Sequence, residues 1–357
     1  MKEEILSLIV CPFCKASFKL KIFFKKNREI VHGLLNCKCR EFPIINGIPR
    51  ILPDSFRKDL IKNHPKFFAN HPIKNYQIKK SRKDKEKITT TKRFSYEWKK
   101  FSHLHGEYEK QFLDWVKVGK DFFWGKVVLD AGCGTGRHVY YASRYDSKSV
   151  IGIDLGESVE VAYKNNKENK KVHIIQADIY HLPFRERIFD YAYSIGVLHH
   201  LPVPEEGFRK ILKLVKKKGF ISIWVYGREG NFLLKLMDPM RKYLFSKLPL
   251  RIVDLISLGA MILLFPVFQV YRIINETTGL KLIANGLPQN DFFYYLSKLN
   301  FNICHSILFD QLLAPTAYYY TKKEVISWFK RAGVRDFKVT PRNNNSWRGF
   351  GVVKCAE

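Results

Sequence analysis

Residues 127–138 read VVLDAGCGTGRH, an apolar strand that ends in Asp130 and runs at once into three alternating glycines. Few backbones accommodate that run. Gly132, Gly134 and Gly136 let the chain turn sharply out of the strand and approach a ligand with no Cβ in the way. The following segment has a helical pattern, so its unpaired N–H groups and dipole favour an anionic or nucleotide-like ligand at the turn. Asp130 falls at the carboxyl end of the strand, where doubly wound sheets place their ligands. A tight strand-to-helix connection with no ligand uses the same residues, so the turn needs support from its neighbours.

Those neighbours alternate strand and helix. VIGIDL, a helix over 158–166, VHIIQAD, FDYAYSIGVLHHL, a helix around 205–215 and FISIWVY follow in turn. Short apolar strands separated by helices predict a parallel sheet covered on both faces. Asp154 ends the second strand about twenty residues after the glycines, where an acidic side chain accepts hydrogen bonds from ribose hydroxyls. Asp178 follows the third strand and Asp190 opens the fourth. An NAD-binding sheet shares the early features, but a GxGxxG pattern begun at Gly134 requires glycine where Val139 stands.

DAGCGTGRH, GIDL, ADIYHLPF, FDYAYSIGVLHHL and KKGFISIWVY, together spanning about 127–226, resemble the class I S-adenosylmethionine-dependent methyltransferases, in particular the ubiquinone and menaquinone methyltransferase branch. The resemblance implies an α/β fold: a Rossmann-like, seven-stranded doubly wound sheet whose edge is an antiparallel hairpin of VRDFKVT and GFGVVK. It also implies a cofactor site. Gly132, Gly134 and Gly136, beyond Asp130, would hold the methionine portion, Asp154 with Leu155 the ribose, and Asp178 with Ile179 the adenine. Ser194 and the residues around Gly196 would lie beside the sulfonium.

The chain before the sheet carries Cys11-Pro-Phe-Cys14 and Cys37-Lys-Cys39. Two such thiolate pairs can close a tetrahedral Zn²⁺ site, the metal replacing the core that so short a module lacks. Of seven cysteines four fall within residues 1–40, which fits metal better than a disulfide framework, with unpaired buried thiols as the alternative. The second pair is one residue shorter than a CxxC knuckle, which leaves His32 as a candidate to replace one thiolate. CPFC, the second pair and FPIINGIP resemble the zinc ribbons of the Trm112-like family. That resemblance implies a module that activates methyltransferases, standing alone or fused in front of one, and so a possible protein partner.

The chain then divides into a zinc ribbon (1–53), a basic connector (54–92), the sheet domain (93–227), a mainly helical insertion (228–317), and a last helix with edge strands (318–357). The connector is rich in Lys, Asn and His and reads as solvated. Phe94, Trp98, Phe101 and Leu104 recur at helical spacing, as core or as a lid over the central site, with core preferred.

In the insertion, 232–248 mixes apolar and basic residues, and 255–271 is apolar apart from Ser257 and Gln269. The latter run is shorter than the ~20 apolar residues of a spanning helix and contains Pro266, so a buried or partner helix is preferred, then an interfacial membrane helix, then a span. Arg241, Lys242, Lys247, Arg251 and Arg272 flank it and suit anionic headgroups, making 232–272 a candidate membrane surface. Glu3, Glu4 and a short apolar run are unlike a secretion signal, so the expected place is the cytoplasm, with the inner face of the membrane as a peripheral site.

With 46% hydrophobic residues the chain is globular. Its 62 Lys plus Arg against 33 Asp plus Glu, formal charge +29, point to nucleic acid, anionic lipid or an acidic substrate, or to a chain-wide lysine bias alone. Methyl transfer needs an acceptor held in line and, for oxygen, a base; the candidates are His199 and His200 after the fourth strand, and Asp310. The expected acceptor is a small molecule such as an envelope sugar, a lipid-linked intermediate or a quinone-like ring. RNA is the alternative, because ribosomal RNA guanine methyltransferases also carry an amino-terminal ribbon; Ser194-Ile-Gly-Val stands where an NPPY-like tetrad would mark methylation of base amino groups. A non-catalytic partner-binding protein is the third reading, opposed by the intact glycines and acidic positions.

Overall fold

A computed structural model describes residues 1–73, 81–231 and 234–354. Part of the expected connector, 74–80, and the start of the apolar and basic stretch, 232–233, lie outside the described residues. The amino-terminal module is a meander of β1 (Lys19–Lys26), β2 (Glu29–Asn36), β3 (Glu41–Ile45) and β4 (Ile48–Ile51). Helices α1 (Arg57–Asn63), α2 (Pro65–Asn70), α3 (Arg82–Lys100) and α4 (Glu107–Val116) lead to the central strands. There β5 (Val127–Ala131), β6 (Ser149–Asp154), β7 (Val172–Ala177), β8 (Phe189–Ile195) and β9 (Val215–Tyr226) alternate with α5 (Arg137–Arg144), α6 (Ser158–Asn166) and α7 (Pro204–Leu212). The insertion is α8 (Leu234–Met240), α9 (Leu250–Glu276), α10 (Lys281–Gly286), α11 (Asn290–Leu296) and α12 (Phe301–Leu313). Helix α13 (Lys322–Arg331) and strands β10 (Val334–Arg342) and β11 (Ser346–Val353) close the chain.

The strand order β7-β6-β5-β8-β9-β11-β10 is a seven-stranded sheet with β5 to β9 parallel and β10–β11 an antiparallel hairpin against β9. Strands covered on both faces need apolar residues at successive positions. Val128 and Leu129 of β5 and Ile151 and Ile153 of β6 accordingly have no exposed surface. Helix α13 starts on a capping box in which Thr321 and Glu324 satisfy each other's backbone donors.

The ribbon joins the main sheet: β4 pairs in parallel with β7, Arg50 opposite Gln176 and Ile51 opposite Ala177, so β1 to β4 extend the sheet to eleven strands. Ile9, Ile30, Leu35 and Ile44 of the ribbon belong to the same apolar cluster as Leu129 and Ile151. The connector, expected to be solvated, folds instead, with Leu60 and Phe67 buried in α1 and α2, and α3 crossing the expected boundary at 93. Ser81 and Asp84 start α3 with a second capping box.

Candidate active site

The carboxyl ends of β5 to β8 open into a cleft of about 960 Å³, part of it open to solvent. Its floor is the glycine turn, where Gly132, Gly134 and Gly136 have φ of +95°, +51° and +74°. A Cβ on Gly132 would stand 2.3 Å from Val197 Cγ2, and one on Gly136 would stand 2.6 Å from Asn166 Nδ2. The first glycine therefore lets the turn meet the loop after β8, and the third lets α5 pack on α6. Gly132 and Gly134 line the cleft; Gly136 lies behind it.

Asp154 joins two segments of that floor. Its Oδ2 accepts from Gly134 N–H at 3.0 Å, and its Oδ1 accepts from Gly156 N–H at 2.8 Å and from the Ser158 hydroxyl at 3.0 Å. A carboxylate offers about four acceptor positions, so Oδ2 keeps one for a ligand hydroxyl. Burial raises the Asp154 pKa against these hydrogen bonds. Leu155, Asp178 and Ile179 also line the cleft. Asp178 is nearly inaccessible, and Oδ1 accepts from Tyr180 N–H at 3.1 Å. Its Oδ2 meets Lys87 Nζ at 2.7 Å and His181 Nδ1 at 3.1 Å. Burial alone would raise its pKa, but the His181 hydrogen bond and the Lys87 ammonium outweigh burial and hold the carboxyl below its usual range.

Besides Gly136, two further expected ligand contacts are corrected. Asp130 has no exposed surface and sits behind the turn beside Tyr193 and Cys133, where burial pushes its pKa well up. Ser194 turns away from the cleft and donates its hydroxyl to Ala131 O at 2.8 Å, so Ile195, Gly196 and Val197 line that wall. Ser194 braces the strand end that leads into the turn, and Asp130 is buried behind it.

The roof is α3. Lys87, Thr91, Phe94 and Trp98 recur at helical spacing and line the cleft, so Phe94 and Trp98 form the lid, while Phe94 and Phe101 also pack against the apolar cluster of Phe245, Val253 and Phe309, the core reading preferred from sequence. Lys87 and Arg137 were not read from the sequence as site residues; the signal for Lys87 was that spacing, and for Arg137 its place directly after the glycine turn. Arg137 opens α5 and stacks its guanidinium 5.2 Å from Trp98 and 4.7 Å from Tyr108, which brings a cation into the cleft.

The three candidate bases separate. His199 has no exposed surface, is stacked 3.8 Å from the Tyr226 ring and does not line the cleft. Burial and the neighbouring His200 depress its pKa well below the ordinary value. His200 lines the cleft, with Nδ1 2.8 Å from Thr316 O; a carbonyl only accepts, so Nδ1 carries the proton. Burial lowers the His200 pKa to about 4, which makes it a weak proton acceptor at neutral pH. Asp310, from α12, lines the same cleft and accepts from the Tyr226 hydroxyl at 2.7 Å. Burial raises its pKa despite that hydrogen bond, and a raised carboxyl is the stronger base. The fully buried Glu97 beside it is raised further, by burial and by the Asp310 charge.

The four ribbon thiols converge apart from this cleft. The sulfurs of Cys11, Cys14, Cys37 and Cys39 all lie within 4.8 Å of one another, with Cys11 to Cys39 at 3.6 Å and Cys37 to Cys39 at 3.5 Å. Zinc–sulfur bonds of about 2.3 Å in a tetrahedron set sulfurs just under 4 Å apart, so the shortened second pair still fits the metal. His32, on β2, packs instead against Phe24 of β1 and Phe67 of α2, outside the thiol cluster.

Residues 129–223 match the family described as a methyltransferase domain. The chain carries a methyltransferase domain. That match runs from β5 into β9 and so contains the whole glycine floor of the cleft. The chain is similar to the tRNA (carboxymethyluridine(34)-5-O)-methyltransferase of Arabidopsis thaliana, 32% identical over 139 residues, covering 36% of this chain and 32% of that protein. It is also similar to the sterol 24-C-methyltransferase erg6 of Schizosaccharomyces pombe, 28% identical over 113 residues and covering 30% of each. It thus spans about a third of the length of these relatives. A solved SAM-dependent methyltransferase from Aquifex aeolicus aligns over 77% of this chain and all of that one, at 15% identity and a TM-score of 0.40.

Proposed function

We propose that the cleft binds S-adenosylmethionine and that the protein transfers its methyl group to a small-molecule acceptor entering beside Asp310. The observation that carries this reading is the arrangement of one cleft within the methyltransferase domain. A glycine cradle, Asp154 with one open acceptor position and Asp178 lie along the strand ends, and Asp310 and His200 lie on the acceptor side. The residues fit the cofactor: Asp178 Oδ1 retains an acceptor position for an amino group, and the Arg137 guanidinium suits a carboxylate. When bound, S-adenosylmethionine supplies an electrophilic methyl group on its sulfonium sulfur. Asp310 takes the proton that an oxygen acceptor gives up as its new bond to carbon forms, and the Tyr226 hydroxyl holds that carboxylate in place. The indole of Trp98 and the ring of Phe94 exclude water above the reacting atoms.

The Phe94 and Trp98 roof and Asp310 of α12 close over the cleft, an enclosure that suits a small acceptor. RNA is the second reading, supported by the tRNA methyltransferase among the relatives and by the charge of +29. The ribbon serves its own sheet on this reading, because β4 already occupies the β7 edge.

Calorimetry of the purified protein with S-adenosylmethionine tests the first half, and absence of heat would sink it. Incubation with methyl-labelled cofactor and separate RNA, lipid and small-metabolite extracts tests the second. Label in RNA alone reverses the ranking. Asp310→Asn is expected to lower kcat by about 100-fold, within the range for a lost general base, with cofactor affinity unchanged.

A further inference from the structure

Helix α9 is 27 residues long, and its most apolar stretch has a mean hydropathy of 2.0 with only 17% of that stretch buried. At 1.5 Å per residue it extends about 40 Å. One side is fastened to the body: Val253, Ser257, Met261 and Phe268 are buried, and the Ser257 hydroxyl lies 2.9 Å from His305 Nε2 of α12. The opposite side recurs at helical spacing and is bare. Leu255, Leu263 and Ile273 are 67%, 75% and 63% exposed, and Leu282 of α10 continues the surface at 88%. A continuous apolar stripe of this length is larger than soluble monomers ordinarily leave in water.

The exposed positions from 255 to 271 carry no charge, whereas both ends of the stripe carry a net basic excess: Lys247 and Arg251 before it, and after it Lys281 and Arg272, the latter paired with Glu276 at 3.2 Å. Three occupants suit an apolar stripe, and the charges separate them. A second copy laid antiparallel would set Lys247 and Arg251 against the other copy's basic end, and a parallel copy would set like against like. A bilayer-spanning helix would have to leave α12, to which its inner side is bonded. An anionic headgroup layer complements both ends at once and leaves the packing intact.

We propose that α9 is a membrane-docking helix that lies flat in an anionic bilayer interface, with Leu255, Leu263 and their neighbours at the acyl boundary and the basic ends on the headgroups. The docked face is one helix away from α12, which carries Asp310 into the cleft. Docking of this kind does not depend on the catalytic reading. It would place the protein on an anionic membrane surface.

The test is co-sedimentation of the full chain with vesicles of phosphatidylcholine alone or of equal parts phosphatidylcholine and phosphatidylglycerol. Binding is expected only with phosphatidylglycerol and is expected to weaken with salt. The double variant Leu255→Asp/Leu263→Asp should abolish it, and Lys247→Ala or Arg251→Ala should each lower partitioning by on the order of fivefold. An unchanged melting temperature and S-adenosylmethionine titration would show that each variant is folded. The proposal is overturned by absence of binding to phosphatidylglycerol vesicles, or by equal binding of the double variant. It is also overturned by a dimer in solution that Leu263→Asp dissociates, or by vesicle-bound protein that resists alkaline carbonate.

Discussion

Replacing Asp154 with alanine is expected to weaken cofactor binding and loosen the glycine turn together, because one carboxylate serves both. In the fold it accepts from two backbone N–H groups and one hydroxyl, at 2.8 to 3.0 Å. An unpaired buried donor costs roughly 1–3 kcal/mol, so two orphaned N–H groups amount to about 2–6 kcal/mol. Relief of the buried charge, which raises the carboxyl's pKa, returns part of this, and a net loss of ~2 kcal/mol is expected. For a chain of 357 residues that is a fall in melting temperature of about 3 °C. The remaining Oδ2 position, filled by one ribose hydroxyl, adds a charge-assisted hydrogen bond worth about 1.5–3 kcal/mol, or roughly 10- to 150-fold in affinity. Asp154→Asn keeps one oxygen but sets an amide NH₂ against a backbone donor, so it should regain some stability and little affinity. Calorimetric titration with S-adenosylmethionine and differential scanning measure the two effects separately. An affinity for the alanine variant within twofold of the parent would refute the ribose assignment even if the melting temperature fell.

Two other outcomes follow from groups outside that carboxylate. If the four thiols hold zinc, elemental analysis should find stoichiometric metal, and chelation or Cys37→Ser should lower the melting temperature, since structural zinc contributes on the order of 10 kcal/mol to modules of this size; an unchanged melting curve after metal removal would count against the site. His173 and His200 are buried, with burial lowering both pKa values to about 4, against about 6.5 when unfolded, so the fold keeps them neutral. A depressed pKa gives stability that is complete above pH ~6.5 and is lost as pH falls toward 4, up to about 3 kcal/mol for each imidazole. Thermal melts between pH 8 and 5 should show that decline, and His173→Gln should flatten it; a melting temperature independent of pH would rule out the buried neutral forms.

The strands of the sheet were legible because each is apolar at successive positions, and a parallel strand buried on both faces has no other way to be written. The glycine turn and Asp154 were legible because they are local, within one strand–turn–helix unit and its neighbour. Lys87 was not, since nothing in a lysine-rich stretch says that this one lysine reaches a carboxylate 91 residues away. The same holds for β4. IPRI is four residues long, and only the pairing of Arg50 with Gln176, across 126 positions, makes it a strand of the main sheet. Asp130 and Ser194 were misassigned for the opposite reason: their positions in the chain match ligand positions, but strand alternation turns both side chains into the body of the sheet.

The ribbon's place in the sheet connects the thiol cluster to the cleft by a short physical route. Arg50 is 1% exposed and donates from Nη1 to Gln176 Oε1 at 2.9 Å while pairing with Glu160 of α6. Gln176 in turn donates from Nε2 to the Leu155 carbonyl at 3.1 Å, and Leu155 lines the cleft next to Asp154. A buried guanidinium that loses its strand has no water to replace its partners, so removal of β4 would leave Gln176 Oε1 and Glu160 to repair themselves at the expense of the Leu155 loop. The thiol cluster sits in the same module as β4 and shares its apolar cluster through Cys11 and Ile44. Loss of zinc and loss of Asp154 should therefore weaken the same ligand, the first by releasing the loop that carries Leu155 and the second by removing the acceptor itself. Their effects on affinity should not add, because both act on one loop.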